Sequence, residues 1–154
     1  DPNGNPVPDF DSIPFMNVSE KAKTAVEKLE PGVHQFFPVE FKSHKGDALG
    51  RRYWFVPCNR LDSVDHEHVN MVLLNGWEWR PHQDLVRRGK PIPDHIDLGK
   101  PSNYVFNLSS IGDRHIWLDK HISTSVWVSE KALALFKTEG LKGILYPETG
   151  METV

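Results

Sequence analysis

Cysteine is almost absent from this chain, and long apolar runs are absent altogether. Cys58 is the only cysteine among 154 residues, so no intrachain disulfide can form. The apolar runs, such as residues 71–74, are far shorter than the ~20 residues that span a bilayer. No signal-peptide pattern opens the sequence. These absences predict a cytoplasmic protein that has no disulfide framework and no membrane contact.

An excess of positive charge is also missing. The 18 basic and 21 acidic residues give a formal net charge of −3, and the basic residues are scattered rather than arranged in a stripe. Because nucleic-acid binding needs cations that neutralise phosphates, the composition argues against a nucleic-acid partner. No glycine-rich loop has the spacing that cradles a phosphate. We therefore expect no nucleotide and no other cofactor.

The chain does contain the mixed periodicities of an α+β fold. Its length predicts one domain over residues 18–150, preceded by an extended segment over residues 1–17. Ser19 and Ser129 are predicted N-caps of two main amphipathic helices, the second of which ends at Gly140. Strands are predicted at 33–41, 53–56, 69–74, 104–108, 114–118, 125–128 and 143–146, and an Asn75–Gly76 turn is predicted to end the third of them. We expect an α+β domain with an antiparallel or mixed β-sheet packed against the two helices.

One short motif occurs twice. Val-Ser-Glu-Lys-Ala lies at residues 18–22 and again at 128–132, and each copy leads through a glycine to an apolar strand. Ser-Glu-Lys-Ala is a good helix start in any protein, so convergence explains the repeat. A duplicated helix-strand unit remains the alternative.

Tryptophan is abundant, with five residues in the chain. Trp54, Trp117 and Trp127 lie on predicted strands, and we expect them in the core. Pro38 lies on another predicted strand and cannot donate a ladder hydrogen bond. That strand is therefore predicted at a sheet edge, or with its proline where no bond is needed.

The other two tryptophans lie in a different context. Trp77 and Trp79 open residues 77–101, which are rich in Pro, His and Arg and show no clear period. We interpret this segment as a long connection with a helical turn near residues 84–88. Trp and Arg dominate interface hot spots, so the segment is a candidate partner-binding surface. The alternative is that Trp77 or Trp79 folds back to close the core.

The densest group of metal-ligand side chains lies at residues 65–68. On a strand, His66 and His68 would face the same way, as a two-histidine metal pair requires. No third ligand follows at a recognisable spacing, so we expect no metal, and Asp62 and Asp65 are better explained as turn or capping residues.

Cys58 is the other candidate for chemistry. It could act as a nucleophile with one of the eight histidines. Its position after an apolar strand and Pro57 is more typical of a buried structural thiol. We therefore expect no catalytic residue.

Three stretches of the chain carry a family resemblance. They are residues 18–40, which end in Phe-Pro-Val-Glu, residues 53–65, which read Tyr-Trp-Phe-Val-Pro-Cys-Asn-Arg-Leu-Asp-Ser-Val-Asp, and residues 115–148 with their Gly-x-x-Gly strand. Together they resemble the bacterial immunity-protein family of polymorphic-toxin and type VI secretion effector–immunity pairs, first described as a myxobacterial immunity domain. The resemblance spans most of the chain and implies a cytoplasmic antitoxin that binds a cognate effector toxin and is not an enzyme.

The sequence therefore predicts an immunity protein that occludes the active site of its effector. The predicted partner-binding residues are Trp77, Trp79, Arg80, Arg87, Arg88, Asp62, Asp65 and Glu67. Two alternatives stay open. One is a metal-dependent hydrolase that uses Asp65, His66 and His68, and the other is a non-catalytic adaptor of a secretion system.

Overall fold

The computed structural model describes residues 7–11, 16–43, 45–122 and 125–144, together with the backbone of residues 151–153. Contacts divide the chain into two compact units. Unit 1 comprises Asp1–Asn59, Arg114–Ile116 and Val128–Leu145, and unit 2 comprises Arg60–Asp113, Trp117–Trp127 and Tyr146–Val154. A division by contacts does not measure independent folding, so the single domain over residues 18–150 stays a prediction.

The elements alternate along the chain. In order they are β1 (Phe10–Asp11), β2 (Asn17–Val18), α1 (Glu20–Leu29), β3 (Gln35–Lys42), β4 (Ala48–Val56), β5 (Arg60–Leu61), β6 (Met71–Leu74), β7 (Glu78–Pro81), α2 (His82–Arg87), β8 (Tyr104–Phe106), α3 (Leu108–Ile111), β9 (Ile116–Asp119), β10 (Val126–Val128), α4 (Glu130–Thr138) and β11 (Met151–Thr153). Strand pairing is both antiparallel and parallel. The described residues thus confirm the α+β class.

The two main helices, α1 and α4, begin in the same way. Ser19 Oγ accepts a hydrogen bond from the Ala22 N–H, and Ser129 Oγ accepts one from the Ala132 N–H. Both serines have a φ of −71°, with ψ values of 165° and 162°. Each cap satisfies a helical N–H that has no intrahelical partner, a contribution of about 1 kcal/mol. Both predicted helix starts are confirmed, and Gly140, with a φ of 64°, follows α4 as predicted.

The sheet of unit 1 has the strand order β1-β2-β4-β3. β3 therefore lies at a sheet edge, which confirms the interpretation of Pro38. Tyr53 and Phe55 of β4 are buried, and α1 contacts this strand. Trp54 points to the opposite face and is 49% exposed, as is its cross-strand partner Phe37. The predicted core position of Trp54 is wrong, because apolar residues occupy both faces of the strand pair and alternation alone does not choose between them.

A buried carboxylate links three segments of unit 1. Glu30, which is 7% exposed, accepts hydrogen bonds from His34 Nε2 and Asn59 Nδ2, both at 2.9 Å. It also accepts the backbone N–H groups of His115 and Ile116 at 3.1 and 2.9 Å. Burial raises the pKa of Glu30, but the bonds from His34, His115 and Asn59 outweigh burial and lower that pKa below its ordinary value. The carboxylate is thus held ionised by the donors around it.

Unit 2 has its own apolar core. Its buried members are Val64, Val69, Met71, Trp79, Phe106, Ile111, Trp117 and Ile122. Trp117 is 5% exposed, as predicted for a core residue. Trp127 is half-buried and packs against this core, with its ring centroid 4.7 Å from that of Phe106.

Several sequence-based element predictions need correction. Residues 77–101 contain strand β7 as well as helix α2, so they are not one connection. β7 is only four residues long and ends in Pro81, too short for its period to be recognised. The N-terminal segment contains strand β1, which pairs with β2.

The predicted last strand is not found where the structure describes it. Gly143 and Ile144 belong to no strand, while the remainder of the predicted strand lies outside the described residues. A short strand that was not predicted, β11, instead pairs in parallel with β8.

The predicted burial of Cys58 is also wrong. Cys58 is exposed, because the chain has already left β4 at residue 56. Its N–H donates to His34 Nδ1 at 3.1 Å, so the proton of that ring lies on Nε2, which donates to Glu30.

Candidate partner-binding site

The β6–β7 hairpin of unit 2 presents a tryptophan at its tip. Leu74 pairs with Glu78 across a turn in which Asn75 and Gly76 have φ values of 52° and 72°. This left-handed conformation is accessible to Asn and Gly and reverses the chain tightly. Trp77 follows and is 80% exposed. The hairpin thus holds a large apolar ring in solvent.

The backbone of Trp77 is held on both sides. Its N–H donates to the Leu74 carbonyl at 3.0 Å, and its carbonyl accepts a hydrogen bond from His121 Nδ1 at 3.2 Å. The backbone N–H of His121 donates to the buried Asp119 carboxylate at 2.8 Å. An aromatic ring on a fixed backbone loses little conformational entropy on binding a partner. His121 is a supporting residue that the sequence did not identify.

Trp79 and Arg80 point to opposite sides of β7. Trp79 is 5% exposed and belongs to the core of unit 2, which is the core-closing alternative of the sequence analysis. Arg80 is exposed, and its guanidinium donates to Glu78 Oε2 through Nε at 3.0 Å and through a terminal nitrogen at 2.7 Å. Because the Trp79 ring has almost no exposed area, we leave Trp79 out of the candidate surface.

The long connection after α2 is anchored at its far end. Asn70, 8% exposed, accepts the Asp97 N–H at 3.0 Å and donates through Nδ2 to the carbonyls of Asp97 and Pro101, each also at 3.0 Å. The hydroxyl of Ser102 accepts the His82 N–H at 3.1 Å and lies 2.9 Å from His82 Nδ1. Residues 88–103, all of them described, contain no helix or strand. These side chains hold the far end of the segment against the rest of unit 2.

A cleft of about 600 Å³ lies between the hairpin, α2 and the start of this connection. This volume is within the ordinary range of ligand pockets. Its apolar lining comes from Val72, Leu74, Leu85, Pro91 and Pro93. Val72 and Leu85 also form a small core cluster with Ile96, so packing fixes the floor of the cleft.

The polar lining of the cleft is mostly cationic. Its charged members are Arg80, Asp84, Arg88 and Lys90, and Asn75 is a neutral member. Arg80 pairs with Glu78, and Asp84 pairs with Arg87. Arg88 and Lys90 are exposed and have no carboxylate partner within the part of the chain that the structure describes. These two cations are therefore available to a ligand.

The predicted acidic residues lie on a turn of unit 2. Asp65 Oδ1 accepts the N–H groups of Glu67 and His68 at 2.9 and 3.0 Å, which confirms the predicted turn role of Asp65. A hydrogen bond from His68 Nδ1, 3.0 Å from Asp65 Oδ2, lowers the pKa of Asp65 and raises the pKa of His68. His66 Nε2 lies 3.0 Å from Asp62 Oδ1.

The two histidines of this segment lie in a turn, not on the strand that a two-histidine metal pair would require. His66 and His68 belong to the turn rather than to a strand, and each pairs with a different aspartate. Among the described residues, no group of three or more His, Cys, Asp or Glu side chains could hold a metal ion. The arrangement that a two-histidine metal pair would need is therefore not found at residues 66–68.

His121 brings the acidic turn close to the hairpin. Its Nε2 lies 3.9 Å from Asp62 Oδ2, while its Nδ1 bonds the Trp77 carbonyl. The ring of His66 packs edge-on against Trp79, with centroids 4.9 Å apart. The hairpin and the acidic turn, which the sequence analysis predicted as separate parts of the binding surface, thus meet around His121.

Sequence reasoning did not find most of the cleft. Lys90, Pro91 and Pro93 lie in the segment that had no recognisable period, and Val72 was assigned only to a strand. The one usable signal was the composition of residues 77–101, which placed Arg80 and Arg88 correctly at an exposed surface.

The whole-chain comparison decides the family. Residues 3–150 match the immunity protein family (Imm11). The chain belongs to the Imm11 immunity protein family. This membership confirms the resemblance carried by residues 18–40, 53–65 and 115–148.

Two other comparisons found no match. Neither the search of the curated proteins nor the search of the solved structures gave a match to this chain. In the described part of this Imm11 chain, no helix has both the length and the apolar character needed to cross a membrane.

Proposed function

We propose that this Imm11 chain is an antitoxin that binds a cognate bacterial effector toxin and neutralises it by covering the effector's active site. The observation that carries the proposal is the family match over residues 3–150. The effector would belong to the polymorphic toxins delivered between competing bacteria, for example by type VI secretion. The antitoxin would act in the cytoplasm by binding alone, without a catalytic step of its own.

The hairpin tip and the rim of the cleft are the surface that we assign to the effector. Trp77 offers a large exposed ring on an anchored backbone, which suits a hot spot at the centre of an interface. Arg80, Arg87 and Arg88 are exposed on the segment that follows the hairpin tip and carry planar donors suited to carboxylates.

The acidic turn extends this surface. Asp62 and Glu67 are exposed, and His121 connects Asp62 to the hairpin. Asp65 is mostly engaged in its own turn, so we assign it the role of holding Glu67 and His68 in place. A surface with cations on one side and carboxylates on the other recognises a partner by charge pattern as well as by shape.

The physical mechanism is occlusion by a preformed surface. The hairpin turn, the Asn70 anchor and the apolar floor of the cleft fix the surface before binding. Because little ordering is needed on association, more of the contact energy is retained as affinity. Inhibition then requires only that the complex persists for longer than the effector needs to find its substrate.

Co-expression with the product of the adjacent gene tests the proposal. We expect growth arrest by that effector to be relieved by the wild-type chain, and the two proteins to co-purify in a fixed ratio. Trp77→Ala and Arg80→Ala should each weaken binding, by about tenfold or more for Trp77→Ala. Lys131→Ala, an exposed change on α4, is the matched control and should bind as the wild type does.

The other outcomes separate the competing functions. Co-purification without relief of toxicity would indicate an adaptor. A stoichiometric metal in the purified chain, lost when His66 and His68 are changed, would indicate the hydrolase. Toxicity that persists with no complex formed contradicts the immunity function for that effector.

A further inference from the structure

We propose that the cleft of unit 2 receives an acidic segment of the effector, in which carboxylate side chains stand beside apolar ones. This inference rests on the proposed immunity function and adds the chemistry of the partner element. It concerns the cleft between the hairpin, α2 and residues 90–93, not the exposed tip of the hairpin.

The floor of the cleft selects an apolar group. Val72 and Leu85 are 6% and 7% exposed and are packed into a core cluster, while Pro91 and Pro93 form a wall with no backbone N–H groups to offer. A small hydrated anion gains nothing from such a floor, because apolar surface stabilises only groups that leave water with it. A volume of about 600 Å³ instead accommodates several side chains of a protein segment.

The rim of the cleft selects negative charge. Arg88 and Lys90 stand at its edge without a carboxylate partner among the described residues, whereas Arg80 and Asp84 are already paired. The local excess of cations contrasts with the formal net charge of −3 for the whole chain. A carboxylate placed beside the apolar floor would meet both free cations in a partly desolvated site, where charge-assisted hydrogen bonds are strong.

The backbone that carries the two cations is held in a closed turn. The N–H groups of Arg88 and Lys90 both donate to the Leu85 carbonyl, at 3.1 and 3.0 Å. Between them Gly89, with a φ of 59°, donates to the Val86 carbonyl at 3.0 Å and ends α2. This closed turn carries the Arg88 and Lys90 side chains to the same rim of the cleft. Two cations carried on a held backbone at one rim favour an acidic segment that can contact both of them at once.

Charge reversal tests the inference. The affinity of the purified full-length chain for the effector of the adjacent gene is measured by calorimetry at low and high salt. We expect Arg88→Glu with Lys90→Glu to lower the affinity at least about tenfold and to reduce its dependence on salt. Lys45→Glu with Lys131→Glu, at two exposed positions of unit 1, is the control for the same change of net charge and should leave the affinity within about twofold. Urea unfolding of each variant verifies that both changes leave the fold intact.

A second arm identifies the occupant. Acidic residues of the effector are changed to Lys one at a time, and each variant is tested against the charge-reversed chain. Restored binding by one such effector variant supports the proposal, because the attraction has been rebuilt with opposite signs. Apolar substitutions next to that residue should weaken binding to the wild-type chain.

Three outcomes would overturn the inference. If the charge-reversed chain binds the effector as the wild type does, the cleft is not the acceptor, although the immunity function survives. If the wild-type chain neither binds nor neutralises the effector, the proposed function fails, and the inference fails with it. If sedimentation shows a dimer of the chain that the charge reversal dissociates, the cleft receives a second copy of the protein.

Discussion

The two units use polar side chains in opposite ways. In unit 1 the buried Glu30 carboxylate is enclosed by four donors within hydrogen-bond distance. In unit 2 Arg88 and Lys90 stand at a cleft with no carboxylate partner among the described residues. A closed network stabilises the fold, because an unpaired polar group in the interior costs free energy. Open cations do little for the fold and are free to bind, so stability and binding should respond to different substitutions.

The largest expected effect separates the two neighbouring tryptophans of the hairpin. Trp79→Ala should lower the free energy of unfolding by about 3–5 kcal/mol, because it empties a ring-sized space in the core of unit 2. Trp77→Ala should change it by less than about 0.5 kcal/mol, because the ring is exposed. Urea denaturation of the two variants measures the contrast. Equal losses of stability would show that the hairpin tip is also part of the core.

A second prediction addresses the closed network of unit 1. Glu30→Ala should lower the free energy of unfolding by about 3 kcal/mol, because several buried donors lose their acceptor. Glu40→Ala, on the exposed side of β3, is the control and should be nearly neutral.

Glu30 also predicts how stability depends on pH. Its pKa is lowered in the folded chain, so its contribution is full above the ordinary pKa of a glutamate and is lost as the pH falls through the lowered value. In Glu30→Gln, the free energy of unfolding should therefore fall less steeply than in the wild type as the pH drops below about 4.5. An acid limb as steep in Glu30→Gln as in the wild type would contradict this assignment.

A third prediction tests whether the cleft is preformed. Asn70→Ala removes the side chain that holds residues 97–101 and should cost about 2 kcal/mol of stability. It should also weaken effector binding, because the connection then has to be ordered on association. Asn103→Ala, a change on the same connection, is the control in both measurements. Hydrogen exchange that is unchanged over residues 88–103 in Asn70→Ala would disprove the anchoring role.

The smallest expected effect belongs to the exposed pair on the acidic turn. The hydrogen bond with Asp65 raises the pKa of His68, and NMR titration of the ring measures it. Asp65→Asn should lower the pKa of His68 towards its ordinary value. The pair contributes fully between the ordinary pKa of an aspartate and the ordinary pKa of a histidine. This contribution is lost as the pH rises through the raised pKa of His68 or falls through the lowered pKa of Asp65. If the pKa of His68 does not change in Asp65→Asn, the hydrogen bond between the two side chains is contradicted.

Local signals were the part of this fold that could be predicted. Both helix starts and the Asn75–Gly76 turn depend on side chains within a few residues of the backbone they stabilise. The edge position of β3 likewise follows from a single proline. The positions of Trp54 and Cys58 were predicted wrongly, because each depends on which face of β4 packs against α1 and on where that strand ends.

The candidate site also has a part that the sequence could predict and a part that it could not. Its composition was visible in the sequence, since Trp77, Arg80 and Arg88 lie together in residues 77–101. The burial of Trp79 was not, because a four-residue strand is too short to define a period. Nor was the anchor of the connection, which joins Asn70 to Asp97 across 27 positions of sequence.

The sequence by itself determined the α+β class, the ends of the two main helices, the hairpin turn and the family, because these depend on short motifs and on local backbone preferences. Only the tertiary structure decided that Trp77 is exposed while Trp79 is buried, and that Arg88 and Lys90 have no carboxylate partner among the described residues. Those properties depend on contacts between segments that are distant in the chain. The same residues in another packing would give a different surface.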